Sequence, residues 1–510
     1  MHNIHIIDIA IIILYFVICI AIGLHKYKSI KTLKEYTLGG RNFPNLVIVT
    51  TLFATYIGSS DVIGMVEQVH ELGLFFIVPI LFSPLFWLTT AKIYGKNIDQ
   101  FNGCISISDI MAKLYGVAGR WITNIAALII SIVIVTISTT ALGHTLHYFL
   151  QITLKEGIIL GALVLTLYSA FGGIRAVAYT DVFQFIVLML AIPASCFIVY
   201  GIESGGGIMH WHNVFDQLPK EVLVFNINKD NVGLFLSLIF WGLLPLTEGA
   251  FMQRFLLSRN AVQLTKCLKV IPFLHLFLII TVCLIGLLIK AKTPEIDPRT
   301  AFIHFISNYL CIGVKGIVIT GLLAVIMSTA DSWLNTAGIL LTHDIIKKLV
   351  PLTHQRSLIV ARISIFIIAV LSVIFSLSGK GLMQLNWLAD NFWGPIIIIP
   401  LSAGFLMFRT NSKSFIASVI LAITFTCVSG YIVGDFATIS LMCGMIGSAI
   451  GLFCTHHWQK GQGIDPAAKH KKLAAIEEKE RAKIRYANSA EQIEEWYKES
   501  STSRNQKSER

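Results

Sequence analysis

Charged residues are scarce in this chain. They make up 14% of its 510 residues, whereas soluble domains carry about 25%. Hydrophobic residues reach 55%, and the mean hydropathy is +0.73. A water-soluble enzyme could not bury this much apolar surface, so that class is excluded. The length suffices for roughly a dozen membrane-spanning helices of ~20 residues, and the sequence predicts an all-α integral membrane protein.

Three further features are missing. No C-x-x-C pair occurs among the nine cysteines, which stand singly, so neither a disulfide framework nor a zinc site is indicated. The net charge of +11 is not collected on one basic face with interleaved aromatic residues, so we expect no nucleic-acid partner. No nucleophile–base pair or metal-binding cluster converges, so we expect no enzymatic activity. No obligate protein partner is evident.

Apolar runs predict thirteen membrane spans. The first run, residues 6–24, lacks the basic region and cleavage site of a signal peptide and is counted as a retained span. The spans are expected near residues 5–24, 44–73, 74–95, 121–150, 156–173, 180–201, 232–256, 267–290, 316–342, 358–378, 393–408, 414–433 and 436–455. This gives a transmembrane domain over residues 1–455 and a charged, partly helical tail over 456–510.

Basic residues are divided unequally between the predicted loops. An odd number of spans places the termini on opposite sides, and alternate loops then hold 20 Lys and Arg residues on one side against 8 on the other. By the positive-inside rule the richer side is cytoplasmic, so the N-terminus is expected outside and the C-terminus inside. The expected location is the cell membrane, inner or plasma, with the lipid bilayer as a partner.

Two of the predicted spans contain interruptions. Residues 44–73 and 232–256 both carry glycine, proline or polar residues, and these spans lie five apart in the chain. Because five is odd, the two spans run in opposite directions across the bilayer. Such a pair of broken helices is typical of an inverted-topology repeat whose binding site lies near the bilayer midplane.

The first interrupted span holds a carboxylate at membrane depth. Asp61 lies between Gly58 and Gly64, and an ionisable group at that depth costs ~2.5–3.5 kcal/mol on insertion scales. One interpretation is that the helix unwinds at the glycines, so that carbonyls around Ser59 and Val62 coordinate a cation. Asp61 would then add charge or fix the loop. The alternative is that Asp61 caps the second half-helix or pairs with another span.

A polar face is predicted on the span near residues 316–342. The face consists of Val325, Ser328, Thr329 and Ser332. Their spacing, i, i+3, i+4 and i+7, places them on one side of a helix. Hydroxyl and carbonyl oxygens on one side can complete the shell of a small hard cation. Alternatively, the hydroxyls bond to their own backbone or pack against neighbouring helices.

Four segments carry a resemblance to a known family. They are GSSDVIG at 58–64, YSAFGGIRAVAYTDVFQ at 168–184, AVIMSTADSWLN at 324–335 and, more loosely, WGLLPLTEGAFMQRF at 241–255. They resemble the sodium:solute symporter family, which includes sodium/proline, sodium/pantothenate and sodium/glucose transporters. The likeness covers most of the chain except the tail. It implies a LeuT-like core of two inverted five-helix repeats, spans 2–6 and 7–11, with one helix before and two after.

The resemblance also implies residues for the coupling ion, sodium. The main sodium site would be formed by the carbonyls of Ser59, Val62 and Val325 and the hydroxyls of Ser328 and Thr329. Asp61 matches an acid on which proline-type members depend, although the sugar-type pattern departs from it. Asp181 matches an acidic position linked to a second sodium in some members. Its spacing to Gln184 alternatively fits a capping box at the start of span 6.

For the solute, the resemblance points to segments just beyond each interruption. Glu67 and Glu248 lie there, and Trp241 stands at a family-like position, whereas Pro245 replaces an aromatic residue of proline-type members. The polar run that begins with Thr136 replaces the aromatic character of proline carriers. We expect a solute with a positive amino or ammonium group, neutralised by one glutamate and covered by Trp241. Alternatively, Glu67 lies in an extracellular vestibule and Glu248 bonds within the bundle.

The sequence therefore predicts a secondary active transporter that couples sodium to the symport of a small organic solute by alternating access. An amino acid or amine-bearing solute is favoured, with a proline-like solute among the candidates. Two other functions stay open. A proton-coupled carrier on the same fold could use Asp61 or Glu67 as its proton site. A transporter-like sensor would need a partner recruited by the tail, because the tail contains no signalling domain.

Overall fold

The computed structural model describes residues 4–25, 32–203, 212–225, 227, 231–378, 382–433, 438–468 and 470–472. Every regular element within these residues is helical. The predicted tail beyond residue 472 lies outside the described residues, as does part of the first basic loop, residues 26–31.

The helices follow one another with short connections. The first nine are α1 (Ile6–His25), α2 (Leu33–Leu38), α3 (Asn45–Tyr56), α4 (Met65–Leu72), α5 (Leu74–Ile80), α6 (Leu85–Ile93), α7 (Ile107–Leu150), α8 (Leu154–Glu203) and α9 (His212–Phe215). The others are α10 (Val232–Trp241), α11 (Gly249–Leu257), α12 (Ala261–Lys292), α13 (Ala301–Tyr309), α14 (Val314–Ile339), α15 (Lys347–Leu349), α16 (His354–Leu377), α17 (Leu382–Phe405), α18 (Ser412–Val433) and α19 (Thr438–Gly461). Two π turns, Ser60–Gly64 and Leu340–Ile346, precede α4 and follow α14.

The helices agree with the apolar runs of the sequence. Each of the thirteen predicted spans overlaps a helix. In the described part of the chain, nine helices are long and apolar enough to cross a membrane, or ten if the bent pair α3 and α4 forms one span. Large apolar side chains such as Phe273 and Ile363 are exposed on the outer helices. These features make the chain a multi-pass membrane protein.

Helix α8 contains two of the predicted spans, separated only by a kink. Gly173 has non-helical backbone angles there, φ 55° and ψ −162°. A Cβ atom on Gly173 would lie 2.7 Å from a ring carbon of Tyr36. The left-handed backbone and the close contact therefore both require glycine. Residues 174–179, which were expected to form a cytoplasmic loop, are the first turns of the second half of α8.

Both predicted interruptions are present. Helix α3 ends at Tyr56 and helical structure resumes at Ser60, with a bend of 68° between the two halves. We call residues 57–59 the first break. Residues 242–248, between α10 and α11, form the second break. Pro245 lies inside the second break, and its missing backbone N–H disfavours a continuous helix there.

Helix α14 forms the centre of the bundle. Every residue from Val318 to Ile339 is buried, although several of these residues are polar. The helix packs mainly against α7 and α8, and also against α1, α3 and α16. A helix buried on all sides contacts protein instead of lipid. Its polar side chains therefore find their partners within the bundle.

The C-terminal helices form a separate hairpin. Helices α18 and α19 pack on each other and on α17. Helix α19 continues to Gly461, beyond residue 455 where the transmembrane domain was expected to end. The chain then folds back, because Nε2 of His470 lies 2.9 Å from the carbonyl oxygen of Leu114 and 3.0 Å from that of Thr410.

Candidate cation and solute sites

The first break lies against the polar face of α14. The Thr329 hydroxyl donates to the carbonyl of Ile57, 2.9 Å away on the other helix. Within α14, the Ser328 and Thr329 hydroxyls lie 3.1 and 3.3 Å from the carbonyl oxygen of Val325. All four residues are buried. Two carbonyl and two hydroxyl oxygens thus form one group, which suits a small hard cation.

The sequence predicted the three α14 members of this oxygen group but not Ile57. The Ile57 carbonyl is available because α3 ends at Tyr56, one residue earlier. Ile57 directly precedes Gly58, and this position was the signal that could have identified it. Where a helix breaks, the carbonyl before the break receives no hydrogen bond from the N–H four residues later. The Ser328 and Thr329 hydroxyls do form hydrogen bonds to the backbone, as the alternative interpretation expected. One of these bonds, from Thr329 to Ile57, joins α14 to the first break.

The two other predicted carbonyl ligands, those of Ser59 and Val62, follow in the same segment. The carbonyl of Val62 accepts the backbone N–H of Met65. Ser59 is partly exposed and directly precedes the π turn. Ser59 therefore lies in the first break and Val62 in the π turn that follows it. Of the carbonyls in this segment, the described hydrogen bonds connect only that of Ile57 to α14.

Asp61 closes the first break with two local hydrogen bonds. Its carboxylate accepts the Gly58 N–H at 2.9 Å, and its own N–H donates to the Gly58 carbonyl at 3.1 Å. A Cβ atom on Gly58 would lie 3.6 Å from the Thr329 hydroxyl oxygen and 3.7 Å from Asp61 Oδ2, so the three residues are close neighbours. This geometry favours the interpretation that Asp61 fixes the break.

A second, fully buried cluster adjoins the oxygen group. Its acidic members are Asp181 of α8 and Asp331 of α14, and its basic member is Arg254 of α11, all with 0% exposure. Thr51 donates a hydrogen bond to Asp181. Tyr168 donates to Asp331 at 2.8 Å. The cluster therefore contains two carboxylates for one guanidinium, all removed from water.

Ser332 connects this cluster to the broken helix. Arg254 donates to the Ser332 hydroxyl at 2.6 Å, and that hydroxyl also lies 2.9 Å from the hydroxyl of Thr55 in α3. One carboxylate oxygen of Asp181 and one of Asp331 have no hydrogen-bond partner among the described residues. Buried carboxylate oxygens without partners favour the presence of a further cation or proton.

One alternative interpretation for this cluster is wrong. The capping-box interpretation of Asp181 and Gln184 fails because both residues lie inside α8, whose second half begins directly after Gly173. Gln184 instead donates to the Tyr15 hydroxyl at 3.2 Å. Arg254, near the end of the predicted span 232–256, lies buried inside α11, where its charge has acidic partners nearby.

Aromatic side chains surround Tyr56, the last residue before the first break. The rings are those of Phe86, Trp87, His275 and Phe251, with centroids 4.6, 5.4, 5.1 and 6.3 Å from that of Tyr56. We call these five residues the aromatic group. Sequence reasoning missed it, because aromatic residues at scattered positions of apolar helices are ordinary core residues. The place of Tyr56 beside the break was the available signal.

Trp87 fixes the tautomer of His275. The indole N–H can only donate, and it lies 3.3 Å from Nδ1 of the imidazole. The ring proton is therefore on Nε2. His275 is 1% exposed, and no acceptor for the Nε2–H is described among the residues of the structure. The Nε2–H can therefore donate to water or to a bound molecule.

Glu248 lies at the end of the second break and directly precedes α11. Its carboxylate accepts the Thr247 N–H at 3.0 Å. The Thr247 hydroxyl accepts the indole N–H of Trp393 at 3.3 Å, which ties α17 to the break. Glu248 and Asp61 both act electrostatically on the hydroxyl of Tyr56. A carboxylate beside an aromatic ring can bind a cationic group.

Glu67 lies away from the second break, on α4. It is partly exposed and electrostatically coupled to Arg299 and Asp297, in the connection that follows α12. The neighbouring His70 has Nε2 3.3 Å from the carbonyl oxygen of Thr293 in the same connection. This placement favours the interpretation that Glu67 belongs to a vestibule.

Two other residues that were expected to contact the solute have partners elsewhere. Trp241 is 43% exposed, and its indole N–H donates to the hydroxyl of Thr438 at the start of α19 at 3.3 Å. Thr136 is buried, and its hydroxyl donates to the carbonyl of Ile132 in its own helix at 2.7 Å. The described contacts join neither residue to the aromatic group.

An ionic cluster joins the C-terminal end of α14 to the start of α7. Arg120 lies 2.8 Å from Asp109 and 3.1 Å from Asp344, and Nε2 of His343 lies 3.0 Å from Asp109. The two acids and the histidine are close enough to share a metal ion. Arg120 already supplies the compensating positive charge, so we assign the cluster a structural role.

Comparisons with known proteins agree with this architecture. Residues 36–422 match the sodium:solute symporter family. A sodium/proline symporter of Staphylococcus aureus is 25% identical over 391 residues, which cover 71% of this chain and 73% of that protein. A solved sodium-coupled sialic acid symporter in an outward-open, substrate-bound state matches with a TM-score of 0.77 at 18% identity, over 88% of this chain and 98% of that one. A nucleobase-cation-symport-1 family transporter in a closed conformation gives 0.52 at 14% identity, over 83% and 94%.

Proposed function

This chain belongs to the sodium:solute symporter family, and from this premise we propose that it couples sodium entry to the uptake of a small organic solute by alternating access. We propose thirteen spans in the inner or plasma membrane of the cell. The distribution of basic residues supports an N-terminus outside and a C-terminus inside. Spans 2–6 and 7–11 would form two inverted repeats, with the two breaks at equivalent positions.

The hydrogen bond between Thr329 and Ile57 is the observation that carries this proposal. Sodium bound among the Ile57, Val325, Ser328 and Thr329 oxygens would join α14 to the first break. Ser59 and Val62 are close enough in sequence to contribute further carbonyls. Bound sodium would thus stabilise the outward-open state in which the solute site is complete. Since coupling is reciprocal, the solute must raise the affinity for sodium by the same factor.

A second coupling ion is proposed at Asp181. The excess of buried acid over base in its cluster supports this assignment, as do the unpartnered oxygens of Asp181 and Asp331. Ser332 and Thr55 would transmit occupancy of this cluster to the broken helix. Asp61 would act beside the main site by holding the break closed, without contacting sodium itself.

The solute is proposed to carry a positive amino or ammonium group that binds at Glu248. The carboxylate at the second break supports this proposal, together with the ring of Tyr56 on which its charge acts. The related Staphylococcus aureus protein is named for proline, which supports an amino acid. The aromatic group takes the covering role that Trp241 was expected to have. Glu67 is assigned to the vestibule and Thr136 to packing.

His275 favours a second group on the solute, an oxygen that accepts a hydrogen bond, in addition to the positive group at Glu248. Its Nε2–H is a buried donor beside Tyr56, held in that tautomer by Trp87. A carboxylate or hydroxyl oxygen of the solute would satisfy it. An acceptor, the Glu248 carboxylate, and a donor, the His275 Nε2–H, near the same aromatic residue Tyr56 fit a zwitterionic amino acid better than a simple amine.

The matched pair Glu248→Gln and Glu67→Gln tests the solute proposal. Purified protein in liposomes is screened with radiolabelled amino acids, amines, sugars and carboxylates under a sodium gradient. For the solute that is carried, we expect Glu248→Gln to raise KM about 10–100-fold, because a hydrogen bond to a charged group is worth about 1.5–3 kcal/mol. Glu67→Gln should change KM less than about twofold, as expected for an exposed charge.

Two results would overturn this assignment. If the protein transports only neutral sugars or anions, the solute has no cationic group and the assignment fails. An equal effect of the two glutamine variants would place the charge recognition elsewhere in the bundle.

A further inference from the structure

Helix α6 carries three buried side chains with hydrogen-bonding groups on one side. They are Trp87, Thr90 and Tyr94, which directly follows the helix, and each has 0% exposure. Their spacing of i, i+3 and i+7 places them on one side of the helix. We call these three residues the α6 face. Polar groups buried in a membrane protein need partners, so the contacts of this face show what α6 holds in place.

The first and last members of the α6 face join α6 to two other helices. The indole N–H of Trp87 donates to Nδ1 of His275 in α12 at 3.3 Å. The hydroxyl of Tyr94 lies 2.6 Å from that of Ser402 in α17. Helix α6 also packs against α12. These contacts fix α6 relative to both helices, so that it can support the segment that the middle member of the face contacts.

Thr90, the middle member, holds the second break. Its hydroxyl accepts the backbone N–H of Leu246 at 3.0 Å. Because residues 242–248 do not form a helix, this buried N–H needs an acceptor from elsewhere, and Thr90 supplies it. The neighbouring Thr89 also reaches the break, with its hydroxyl 3.4 Å from the carbonyl oxygen of Leu243. Helix α6 therefore helps to set the course of the second break.

Glu248 lies two residues after Leu246, at the end of the same break. Its carboxylate accepts the Thr247 N–H at 3.0 Å, and the Thr247 hydroxyl accepts the indole N–H of Trp393 at 3.3 Å. Described hydrogen bonds thus involve three successive residues of the break, 246 to 248. Glu248 also acts electrostatically on the hydroxyl of Tyr94. The carboxylate therefore lies close to the α6 face.

We propose that Thr90 is a positioning residue for the solute, an inference that rests on the proposed binding of the solute at Glu248 and His275. Thr90 fixes the course of the second break and thereby the place of the Glu248 carboxylate. Trp87, three residues earlier on the same helix, fixes His275. Helix α6 thus sets the two solute-binding groups relative to each other. Thr90 acts through Glu248 and does not contact the solute itself.

Thr90→Val tests this proposal, because valine keeps the shape of threonine and removes the hydroxyl. Uptake into liposomes is measured with radiolabelled L-proline, or with the amino acid carried best in the solute screen if proline is not carried. We expect Thr90→Val to raise KM about fivefold or more, because the N–H of Leu246 loses its acceptor. The maximal uptake rate should change less than about twofold, as expected when only binding is weakened. Thr90→Ser keeps the hydroxyl and should restore KM.

Sodium binding without solute is a further readout. It is measured as the sodium-dependent rise in Tm of the purified protein. The described contacts of Thr90 do not involve the oxygen group, so the sodium concentration for half of this rise should change less than about twofold in Thr90→Val. A general loosening of the bundle would instead weaken sodium binding and solute binding together.

Two other variants complete the set. Thr281→Val is the matched control, because Thr281 is a buried threonine of α12 whose hydroxyl donates to the carbonyl of Phe277 in its own helix. It should leave KM unchanged. Trp393→Phe keeps a ring and removes the indole N–H that holds Thr247 in the same break. It should also raise KM, and it decides the question if Thr90→Val does not fold.

The double variant Thr90→Val/Glu248→Gln separates positioning from a structural effect. If Thr90 acts through Glu248, Thr90→Val should raise the KM of Glu248→Gln by less than about twofold, whereas independent effects would multiply. Where Glu248→Gln raises KM, full multiplication, or an unchanged KM in the folded Thr90→Val or Trp393→Phe variant, overturns this inference alone. No effect of Glu248→Gln, or no carried amino acid, overturns the proposed solute site together with the inference.

Discussion

The Thr329 hydroxyl bridges α14 and the first break, 2.9 Å from the Ile57 carbonyl. A single hydroxyl therefore links the central helix to the interrupted one. The described hydrogen bond of its neighbour Ser328 stays within α14, to the carbonyl of Val325. If sodium binds here, Thr329 contributes both a ligand and the connection through which ion binding changes the conformation of the break.

Thr329→Ala should raise the sodium concentration for half-maximal uptake about tenfold, because removing an interaction with a charge costs about 1.5 kcal/mol. Thr329→Ser keeps the hydroxyl and should stay close to the unmodified protein. Thr166→Ala removes a buried hydroxyl that bonds only within α8 and is the control. Sodium titrations of uptake in liposomes measure all three. Unchanged sodium dependence in Thr329→Ala would remove this residue from the site.

Arg254 carries the positive charge of the buried cluster. Arg254→Gln removes the positive charge that faces Asp181 and Asp331. Removing one partner of a buried ionic group lowers the stability by about 3–5 kcal/mol. We expect a large loss of folded protein, measured as the monodisperse fraction after detergent extraction. The double variant Arg254→Gln/Asp331→Asn restores the charge balance and should recover part of that fraction. No loss in the single variant would contradict this description of the cluster.

For single residues, the sequence predicted the side chains of the oxygen group better than its backbone carbonyl at Ile57. The face of Val325, Ser328 and Thr329 follows from helical spacing alone, and the structure confirms that these residues lie together. The Ile57 carbonyl could not be predicted with the same certainty, because the residue at which a helix breaks depends on tertiary packing. The aromatic group could not be predicted either, since its members come from four helices.

At the scale of helices, α3 and α8 are interrupted in different ways. The first break leaves backbone oxygens available next to α14 and is part of the proposed site. The kink of α8 at Gly173 lets the two halves of that helix change direction against Tyr36. The first interruption is part of the proposed ion site, whereas the second serves packing.

Gly173→Ala should therefore destabilise the protein. A positive φ with ψ near 180° is a conformation found almost only in glycine and costs an alanine about 1–3 kcal/mol. The contact with Tyr36 adds an overpacking cost of about 1–3 kcal/mol. Gly201→Ala lies in the same helix, where an added Cβ meets no described atom within 4 Å, and should be neutral or stabilising by up to about 1 kcal/mol. Thermal unfolding in detergent compares the two. Equal Tm values would show that Gly173 is not required.

The sequence predicted the helices and both breaks well, because bilayer-length apolar runs and glycine interruptions are local signals. It missed the continuity of α8 across residues 174–179. Gly172, Gly173 and Arg175 make that segment resemble a loop. Arg175, however, finds the carbonyl of Gly39 as an acceptor within the fold, at 3.0 and 3.1 Å. Composition alone cannot predict such a tertiary contact.

For the whole molecule, the small charged fraction is the informative feature. The predicted family is confirmed by the match over residues 36–422. Three charged residues, Asp181, Arg254 and Asp331, are buried together beside the oxygen group. Others, such as Arg409 between α17 and α18, lie in the predicted basic loops at one end of the bundle. The scarcity of charge that excluded a soluble enzyme thus locates the proposed ion path.

Uptake with and without sodium tests the central claim most directly. Purified protein in liposomes is supplied with the carried solute under an inward sodium gradient, and in parallel with choline in place of sodium and an inward proton gradient. We predict accumulation of the solute with sodium and at least a tenfold loss with choline, about 1.4 kcal/mol or more of coupling. Undiminished accumulation with choline, driven by the proton gradient, would contradict sodium coupling.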